Sequence, residues 1–372
     1  MRVGVPAEMK TAEARVGLIP GSVSELIGSG HTVLVESGAG IGAGFSDDEY
    51  VAAGAKLADN ADEVFASSEM IVKVKEPQAI ERARLTADHT LFTYLHLAPD
   101  AAQTADLVAS GATCIAYETV TDRHGRLPLL APMSQVAGRM SIQAGAHSLE
   151  ATQGGRGLLL GGVPGVAPGR VVVIGGGMVG RNAVAMAVGL GAEVTVLDRD
   201  LGVLDEIDIQ YGSTVRCVYS TQANLEEEVL AADLVIGAVL VAGAAAPKLV
   251  TADMIRRMRP GSVVVDVAID QGGCFETSRA TTHTDPTYVV DDVVHYCVAN
   301  MPGGVPRTST IALNNATLPF TMALANKGAV PAMLADSHLL NGLNVFGGQV
   351  TEVSVAAALG YQHVNALTAI GG

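Results

Sequence analysis

The sequence predicts an α/β protein made of two Rossmann-like doubly wound domains with a cleft between them. Runs rich in Val and Ile alternate with helical stretches, which is typical of parallel sheets covered by helices. The length of 372 residues is more than one hydrophobic core usually serves. Residues 171–198 have the pattern of strand, glycine turn, helix and second strand that binds dinucleotides.

The first domain begins with strand-like residues 2–5 and 31–36. Pro20 is placed in the first turn of a short helix between them, where a missing N–H costs nothing. Ser46 and Glu49 form a capping box that opens the next helix. These signals predict the alternation of strands and helices of one α/β unit.

Two later strands of this domain lead to residues suited to a binding site. One is predicted over residues 70–77, with Lys73 and Lys75 on one face. The next is predicted over residues 90–97, with Phe92, Tyr94 and His96 on one face and His96 at its carboxyl end. Ligands of open α/β sheets bind beyond the carboxyl ends of strands. Lys75 and His96 are therefore predicted to share a site.

The second domain is organised around a glycine turn after a buried strand over 171–174. Gly175 permits the tight turn, Gly177 lets a pyrophosphate approach the backbone, and Gly180 lets the helix pack closely on the strand. Asp198 ends the second strand, where it can accept hydrogen bonds from a ribose 2′-hydroxyl and repel a 2′-phosphate. The prediction is NAD rather than NADP, with FAD or a methyl-donor nucleotide as alternatives.

The connections between the domains follow from the remaining pattern. A helix over 133–153 leads into the second domain, whose sheet continues with strands over 215–219, 234–240 and 262–267. A helix over 308–325 leads back, and the segment after it is too short for a domain of its own. The first domain is therefore predicted to be discontinuous. The predicted boundaries are 1–128 with 309–372 for the substrate domain and 129–308 for the NAD-binding domain.

Composition excludes several classes of partner. The formal net charge of −15 disfavours nucleic acid and anionic membranes. The four cysteines have no C-x-x-C spacing, which is typical of core residues in a reducing cytosol. The N-terminus lacks the apolar core of a signal peptide, and the longest apolar stretch, 234–247, is too short to span a bilayer. We expect a soluble intracellular protein.

Four residues are candidates for chemistry on a small acid. Arg15 suits bidentate capture of a carboxylate, and Lys75 could hold the same carboxylate or a carbonyl oxygen. His96 suits acid/base chemistry near neutral pH, and Asp270 follows the strand nearest the nicotinamide. Each has an ordinary alternative: a surface charge, a strand-end lysine, a strand-capping histidine and a turn-forming aspartate. The case rests on the four together.

The chain resembles the alanine dehydrogenase family, which includes the NAD-binding component of transhydrogenase, over essentially its full length. The resemblance is carried by long stretches: RVGVPAEMKTAEARVGLIP, VKVKEP, LFTYLHLA, LPLLAPMSQVAGR, VVVIGGGMVG, ADLVIGAVLVAGAAAPKLV, VVVDVAIDQGGCFE and YCVANMPGGVPRTST. These stretches are far more specific than the glycine motif.

The resemblance implies reversible oxidative deamination of L-alanine to pyruvate and ammonia by a cytoplasmic homohexamer. It implies that Arg15 and Lys75 bind the substrate and that His96 and Asp270 are the catalytic pair. It also implies a set of dinucleotide contacts beyond the glycine turn. These are Ser134, Met178, Val179, Asp198, Ser220, Val239, Leu240, Val267, Ala268, Ile269, Asp270, Arg279, Val298, Ala299, Asn300 and Met301.

The chain departs from the family at one place. Some members carry a Glu and a His one helical turn apart as a magnesium site, where this sequence has Ala323 and Lys327. A lysine repels a cation, so no metal is predicted there. From Asn341 onward the resemblance is weaker. Three other functions remain open: a transhydrogenase NAD-binding component, a saccharopine-type or lysine-processing dehydrogenase, and a non-catalytic NAD-binding protein.

Overall fold

The computed structural model describes residues 1–239 and 246–371. The chain divides into two compact units, Met1–Met133 with Val305–Gly372 and Ser134–Gly304. The strands are β1 (Arg2–Val5), β2 (Thr32–Glu36), β3 (Lys56–Ala58), β4 (Met70–Val72), β5 (Thr90–Thr93), β6 (Thr113–Ala116), β7 (Arg170–Ile174), β8 (Glu193–Asp198), β9 (Val215–Tyr219), β10 (Leu234–Gly237), β11 (Val263–Asp266), β12 (Thr287–Val290), β13 (Val293–Tyr296), β14 (Leu343–Phe346) and β15 (Gln349–Val350).

The helices alternate with these strands. They are α1 (Pro20–Gly28), α2 (Asp47–Ala52), α3 (Ala61–Ser67), α4 (Ala79–Arg82), α5 (Ala101–Ser110), α6 (Ala131–Ser148), α7 (Met178–Gly189), α8 (Leu201–Tyr211), α9 (Gln222–Ala231), α10 (Ala252–Arg257), α11 (Pro306–Lys327), α12 (Ala329–Ala335), α13 (Ser337–Leu340), α14 (Val353–Leu359) and α15 (Ala366–Ala369). Among the described residues, no helix is both long and apolar enough to cross a membrane.

The sheet of the first unit has the order β15-β14-β6-β5-β4-β1-β2-β3. The strands from β6 to β3 are parallel, and β14 joins β6 antiparallel, with Leu343 opposite Ile115. The C-terminal segment therefore returns to the first unit, as predicted. Its first six strands have the order 3-2-1-4-5-6 of doubly wound dinucleotide-binding folds.

The sheet of the second unit repeats this order, as β9-β8-β7-β10-β11-β13, with β12 added antiparallel at the edge. Alternate residues of β7 belong to separate hydrophobic clusters, Val171 and Val173 on one face and Val172 and Ile174 on the other. A strand buried on both faces produces the uninterrupted apolar run seen in the sequence. The predicted α/β class with two doubly wound units is confirmed.

Local signals near the start of the chain are also confirmed. Pro20 is at the first position of α1. The Ser46 side chain accepts from the Glu49 backbone, and the Glu49 side chain accepts from the Ser46 backbone. Because these signals depend on residues close in sequence, the sequence is enough to read them.

Several predicted elements were too long. The strands predicted over 70–77 and 90–97 end at Val72 and Thr93. The Lys73 and Tyr94 N–H groups still donate to the Phe92 and Val74 carbonyls, but the Val74 and Leu95 N–H groups that follow donate to the carboxylates of Glu8 and Glu118. The helix predicted over 133–153 begins earlier and ends at Ser148. The strand predicted over 234–240 ends at Gly237, and Leu240 lies outside the described residues.

Candidate active site

The predicted substrate residues of the first unit follow neighbouring parallel strands. Lys75 follows β4, His96 follows β5, and β4 and β5 are paired in parallel. Arg15 follows β1, which pairs with β4 on its other side. Since the carboxyl ends of parallel strands meet at one edge, all three belong to the same edge of this sheet.

Arg15 is held by a carboxylate close to it in sequence. Its Nε and Nη2 donate to the two carboxylate oxygens of Glu13 at 2.6 and 2.5 Å, and its Nη1 donates to the Met133 sulfur at 3.0 Å. Arg15 is only 2% exposed. A buried guanidinium in a two-pronged pair is fixed in direction, which suits an anion-binding group.

The backbone of Lys75 is held by Glu8, from the loop after β1. Glu8 Oε1 accepts from the Val74 N–H at 2.6 Å and more distantly from the Lys75 N–H at 3.4 Å. Burial first, and then the Arg15 guanidinium, lower the pKa of Lys75 below its ordinary value. The Lys75 amine therefore loses its proton at lower pH than the amine of an exposed lysine does.

The strand pattern predicted Lys73 and Lys75 on one face, but both residues lie beyond the end of β4 and they differ in burial. Lys73 is fully buried, and its amine pairs with Glu8 at 3.2 Å and with Glu81 at 2.7 Å. The strand ends at Val72, so the two-residue alternation does not extend to Lys75. Lys73 serves to anchor Glu8.

His96 is in the left-handed region, with φ of 50°. The Leu95 and His96 N–H groups donate to Glu118 Oε1 at 3.1 and 2.5 Å, and the imidazole Nδ1 lies 3.8 Å from the same oxygen. The ring stacks on Tyr94 with centroids 5.9 Å apart and planes 6° apart. The prediction that Tyr94 and His96 share a face is supported by this contact, although both lie beyond the end of β5.

Three glycines shape the turn between β7 and α7 in the second unit. Gly175 has φ of 98°, and a Cβ at Gly180 would lie 1.8 Å from the Gly175 carbonyl oxygen. A Cβ at Gly177 would meet no described atom within 4 Å. Gly177 therefore borders open space at the N-terminus of α7, where backbone N–H groups and the helix dipole favour a phosphate. This space fits a dinucleotide pyrophosphate.

Asp198 is the last residue of β8 and is half-buried. Its Oδ2 accepts from the Gly176 N–H at 2.6 Å and its Oδ1 accepts from the Asp200 N–H at 2.9 Å. The carboxylate is thus fixed beside the glycine turn. This is where an acid must be to accept from an adenosine ribose.

Most of the other residues predicted to contact the dinucleotide follow carboxyl ends of the parallel strands of this sheet. Those that do so are Ser220 after β9, Val239 after β10, Val267, Ala268, Ile269 and Asp270 after β11, and Val298, Ala299, Asn300 and Met301 after β13. Ser134 is in the first turns of α6, and Arg279 lies between β11 and β12. Leu240 lies outside the described residues. Their roles remain predictions.

Asp270 is exposed in a 3₁₀ turn, Val267–Gln271, that follows β11. The buried Asp266 holds this turn: its carboxylate accepts from the Ala268 and Cys274 N–H groups at 3.1 and 3.0 Å and from the Ser278 hydroxyl. Burial raises the pKa of Asp266, against the hydrogen bonds it accepts. Asp266 thus fixes the backbone that presents Asp270.

Arg279 is placed by an aromatic stack. Its guanidinium lies 4.0 Å above the Tyr288 ring, its backbone N–H donates to the Tyr288 hydroxyl at 2.8 Å, and Tyr288 stacks on His295. Asn300, which follows β13, is left-handed with φ of 63°, and its carbonyl oxygen lies 3.0 Å from His283 Nε2.

Sequence reasoning missed the acids that hold these groups. Glu8, Glu13, Glu118 and Asp266 each fix the backbone or guanidinium of a predicted site residue. One signal was available: Glu118 and Asp266 occur directly at the ends of buried strands, as ligand-facing acids do. Glu8 and Glu118 accept from residues that are distant in sequence, so the spacing of the sequence could not predict these hydrogen bonds.

Two family models match the chain. The description of one is alanine dehydrogenase/PNT, N-terminal domain, over residues 4–137, and that of the other is alanine dehydrogenase/PNT, C-terminal domain, over residues 141–353. An alanine dehydrogenase of Halomonas elongata is 61% identical over 100% of both chains.

Solved structures extend the comparison. One described as L-alanine dehydrogenase has a TM-score of 0.94 and 53% identity, covering 97% of this chain and 99% of its own. A transhydrogenase structure from Sinorhizobium meliloti has a TM-score of 0.83 and 24% identity, covering 94% of this chain and 100% of its own. At that identity the second likeness shows a shared fold alone.

Proposed function

The chain belongs to the alanine dehydrogenase/PNT family, and we infer that it catalyses the NAD-dependent, reversible oxidative deamination of L-alanine to pyruvate and ammonia. The observation that carries this inference is the 61% identity to an alanine dehydrogenase along the whole of both chains. That match includes both units, so it covers the proposed substrate residues and the proposed NAD residues together.

We propose that Arg15 and Lys75 bind the carboxylate and the oxo or amino end of the substrate. The support is their place after neighbouring strands, the burial of Arg15 and the fixed direction of its guanidinium. Orienting the substrate contributes much of the acceleration, since hydride transfer requires near-contact between the two carbons.

NAD, when bound, supplies the nicotinamide C4 that accepts a hydride from the alanine Cα, and NADH returns it to the imine in the reverse direction. The glycine turn and the N-terminus of α7 are proposed to hold the pyrophosphate, and Asp198 the adenosine ribose. The supporting observations are the open space beside Gly177 and the fixed Asp198 carboxylate. A 2′-phosphate would be repelled by Asp198.

We propose that His96 and Asp270 move the protons. In deamination, one of them accepts a proton from the water that attacks the imine carbon, and the carbinolamine then collapses to pyruvate and ammonia. In amination, the protonated acid donates to the carbonyl oxygen of pyruvate as ammonia adds. Their exposure supports this role, because a group that exchanges protons must be reached by substrate or water.

NADH absorbance of the purified protein tests the function in both directions: alanine with NAD at alkaline pH, and pyruvate, ammonium and NADH near neutral pH, each repeated with NADP or NADPH. Turnover that requires alanine, or both pyruvate and ammonium, is expected. No turnover despite intact NADH binding would favour a transhydrogenase component or a binding protein. Turnover with saccharopine or lysine instead of alanine would favour the other dehydrogenase class.

Assembly, location and metal dependence are further proposals. We propose a cytoplasmic homohexamer that needs no divalent metal. All four cysteines are free, which suits a reducing compartment. Lys327 stands exposed in the last turn of α11, where it would repel a cation. Light scattering should give six times the chain mass of 38.0 kDa, and EDTA should leave turnover unchanged.

A further inference from the structure

His96 has a backbone conformation that is uncommon for residues other than glycine. Its φ of 50° lies in the left-handed region, where Cβ crowds the backbone at a cost of about 1–2 kcal/mol for residues other than glycine. Such a conformation persists only where the surroundings hold it. This conformation turns the backbone away from the direction of β5, three residues after the strand ends.

The group that holds this turn is Glu118. Its Oε1 accepts from the Leu95 and His96 N–H groups at 3.1 and 2.5 Å, and its Oε2 lies 3.2 Å from the Leu95 nitrogen. Hydrogen bonds to an ionised carboxylate are shorter and stronger than neutral ones. Two successive N–H groups that converge on one carboxylate cannot continue a strand, because a strand points them to opposite sides.

Glu118 is itself well anchored. It lies in a 3₁₀ turn, Tyr117–Thr119, directly after β6, which pairs with β5 along its length. The flanking Tyr117 is fully buried against Phe92 of β5, with ring centroids 4.4 Å apart. The Glu118 side chain is 16% exposed, whereas that of His96 is 48% exposed. A shielded acid on a rigid strand end therefore supports an accessible imidazole on the neighbouring strand end.

We propose that Glu118 is the positioning residue for His96, and that it acts by accepting the two backbone N–H groups that fix the left-handed turn. Tyr94 supplies the second constraint, since its ring lies parallel to the imidazole and its hydroxyl donates to the Leu129 carbonyl at 2.6 Å. Glu118 fixes the backbone and Tyr94 fixes the plane of the ring. The consequence for turnover rests on the proposed role of His96 in proton transfer.

The test compares Glu118→Met with Glu118→Gln. Methionine keeps a similar volume but offers no strong acceptor, whereas the glutamine amide oxygen can still accept from both N–H groups. We expect Glu118→Met to lower kcat at least about tenfold with an unchanged NADH Kd, because small displacements of a reacting group are costly. Glu118→Gln should recover most of kcat. The control is Glu150→Gln, which removes an exposed carboxylate 3.3 Å from His147 and should change nothing.

Equal losses of kcat in the Gln and Met variants would overturn the proposal, because the charge and not the backbone acceptor would then matter. Wild-type kcat in Glu118→Met would overturn it as well. If that variant does not fold, Glu118→Ala takes its place in the same comparison.

A crystal structure of the Met variant separates this proposal from the proposed function. A residue 96 that leaves the left-handed region supports the positioning role even if His96→Ala shows that His96 takes no part in turnover. A residue 96 that stays at its present φ and ring orientation overturns the positioning role, whatever the activity.

Discussion

The two units have the same strand order but build their parts of the site in different ways. In the second unit the proposed phosphate site is backbone, formed by the glycines between β7 and α7. In the first unit the proposed substrate site is made of side chains that follow the strands. Glu13 pairs with the Arg15 guanidinium, whereas Glu8 and Glu118 accept from the backbone N–H groups of Lys75 and His96. The glycine turn is built within one βαβ unit, whereas Lys75 and His96 are supported by acids that follow neighbouring strands.

The second unit also has, at one place, an acid that supports a site residue by accepting backbone N–H groups. Asp270 stands on a turn that Asp266 holds by accepting backbone N–H groups, as Glu118 does beside His96. Both proposed proton-transfer residues are therefore presented by a backbone that a more buried acid fixes. In either unit, therefore, the accessible acid/base group stands on backbone that a buried or shielded acid holds in place.

The largest expected effect concerns these two residues. His96→Ala and Asp270→Ala should each lower kcat by at least about 100-fold, because each removes a proton-transfer group while leaving the glycine turn intact. NADH binding, followed by its fluorescence, should be retained. The absorbance assay with pyruvate and ammonium measures the loss.

The matched control is His147→Ala, which removes an exposed histidine paired with Glu150. It should turn over like the wild type. Near-normal turnover in either site variant would remove that residue from the chemistry and limit the proton transfers to the other.

The same contrast explains what the sequence could predict. In the second unit the glycine turn after β7 and Asp198 at the end of β8 lie in the predicted elements, because their signals lie within about thirty neighbouring residues of a βαβ unit. The strand over 234–240 was drawn too long, and β12 and β13 were not predicted. In the first unit Lys75 and His96 were correctly placed after neighbouring strands, but the strands were drawn too long. The ladder ends where Glu8 and Glu118 accept N–H groups from residues 66 and 22 positions away. Those long-range pairs, the burial of Lys73 and the φ of His96 depend on tertiary packing.

Substitutions of two glycines in the second unit should distinguish an effect on folding from an effect on NADH binding. Gly180→Ala should lower the unfolding temperature and abolish NADH binding, since its Cβ would overlap the Gly175 carbonyl. Gly177→Ala should fold normally, because its φ of −69° suits alanine and its Cβ meets no described atom within 4 Å. We expect it to raise the NADH Kd by about tenfold or more, which corresponds to ~1.4 kcal/mol.

Thermal unfolding and NADH titration of both variants measure this difference. A Gly177→Ala protein that binds NADH like the wild type would place the pyrophosphate away from this turn. Equal melting temperatures for the two variants would contradict the close packing of α7 on β7.

A smaller effect is expected from the charge of Lys75 in the first unit. Because burial and Arg15 lower its pKa below 10.5, the amine loses its proton as pH rises through that lowered value. The protonated form binds the substrate anion, so the KM for pyruvate should rise with pH, by up to about tenfold for the loss of one charged hydrogen bond. In Lys75→Arg the guanidinium stays charged, so this rise should be absent.

Initial rates at several pH values give the KM of both proteins, with the exposed Lys56→Arg as a control that should follow the wild type. If Lys75→Arg shows the same rise in KM, another group controls the pH dependence.

The smallest effect tests whether the strain is confined to the backbone of His96. Glycine adopts a φ of 50° without crowding, whereas alanine does not, so His96→Gly should be more stable than His96→Ala by about 1 kcal/mol. Both variants lack the imidazole, so the difference between them reports the backbone alone. Urea-induced unfolding measures it, and Ala66→Gly, at an exposed position within α3, should show the opposite sign because glycine weakens a helix. If His96→Gly were the less stable of the pair, the turn after β5 would not be strained, and Glu118 would then hold a conformation that the chain adopts without it.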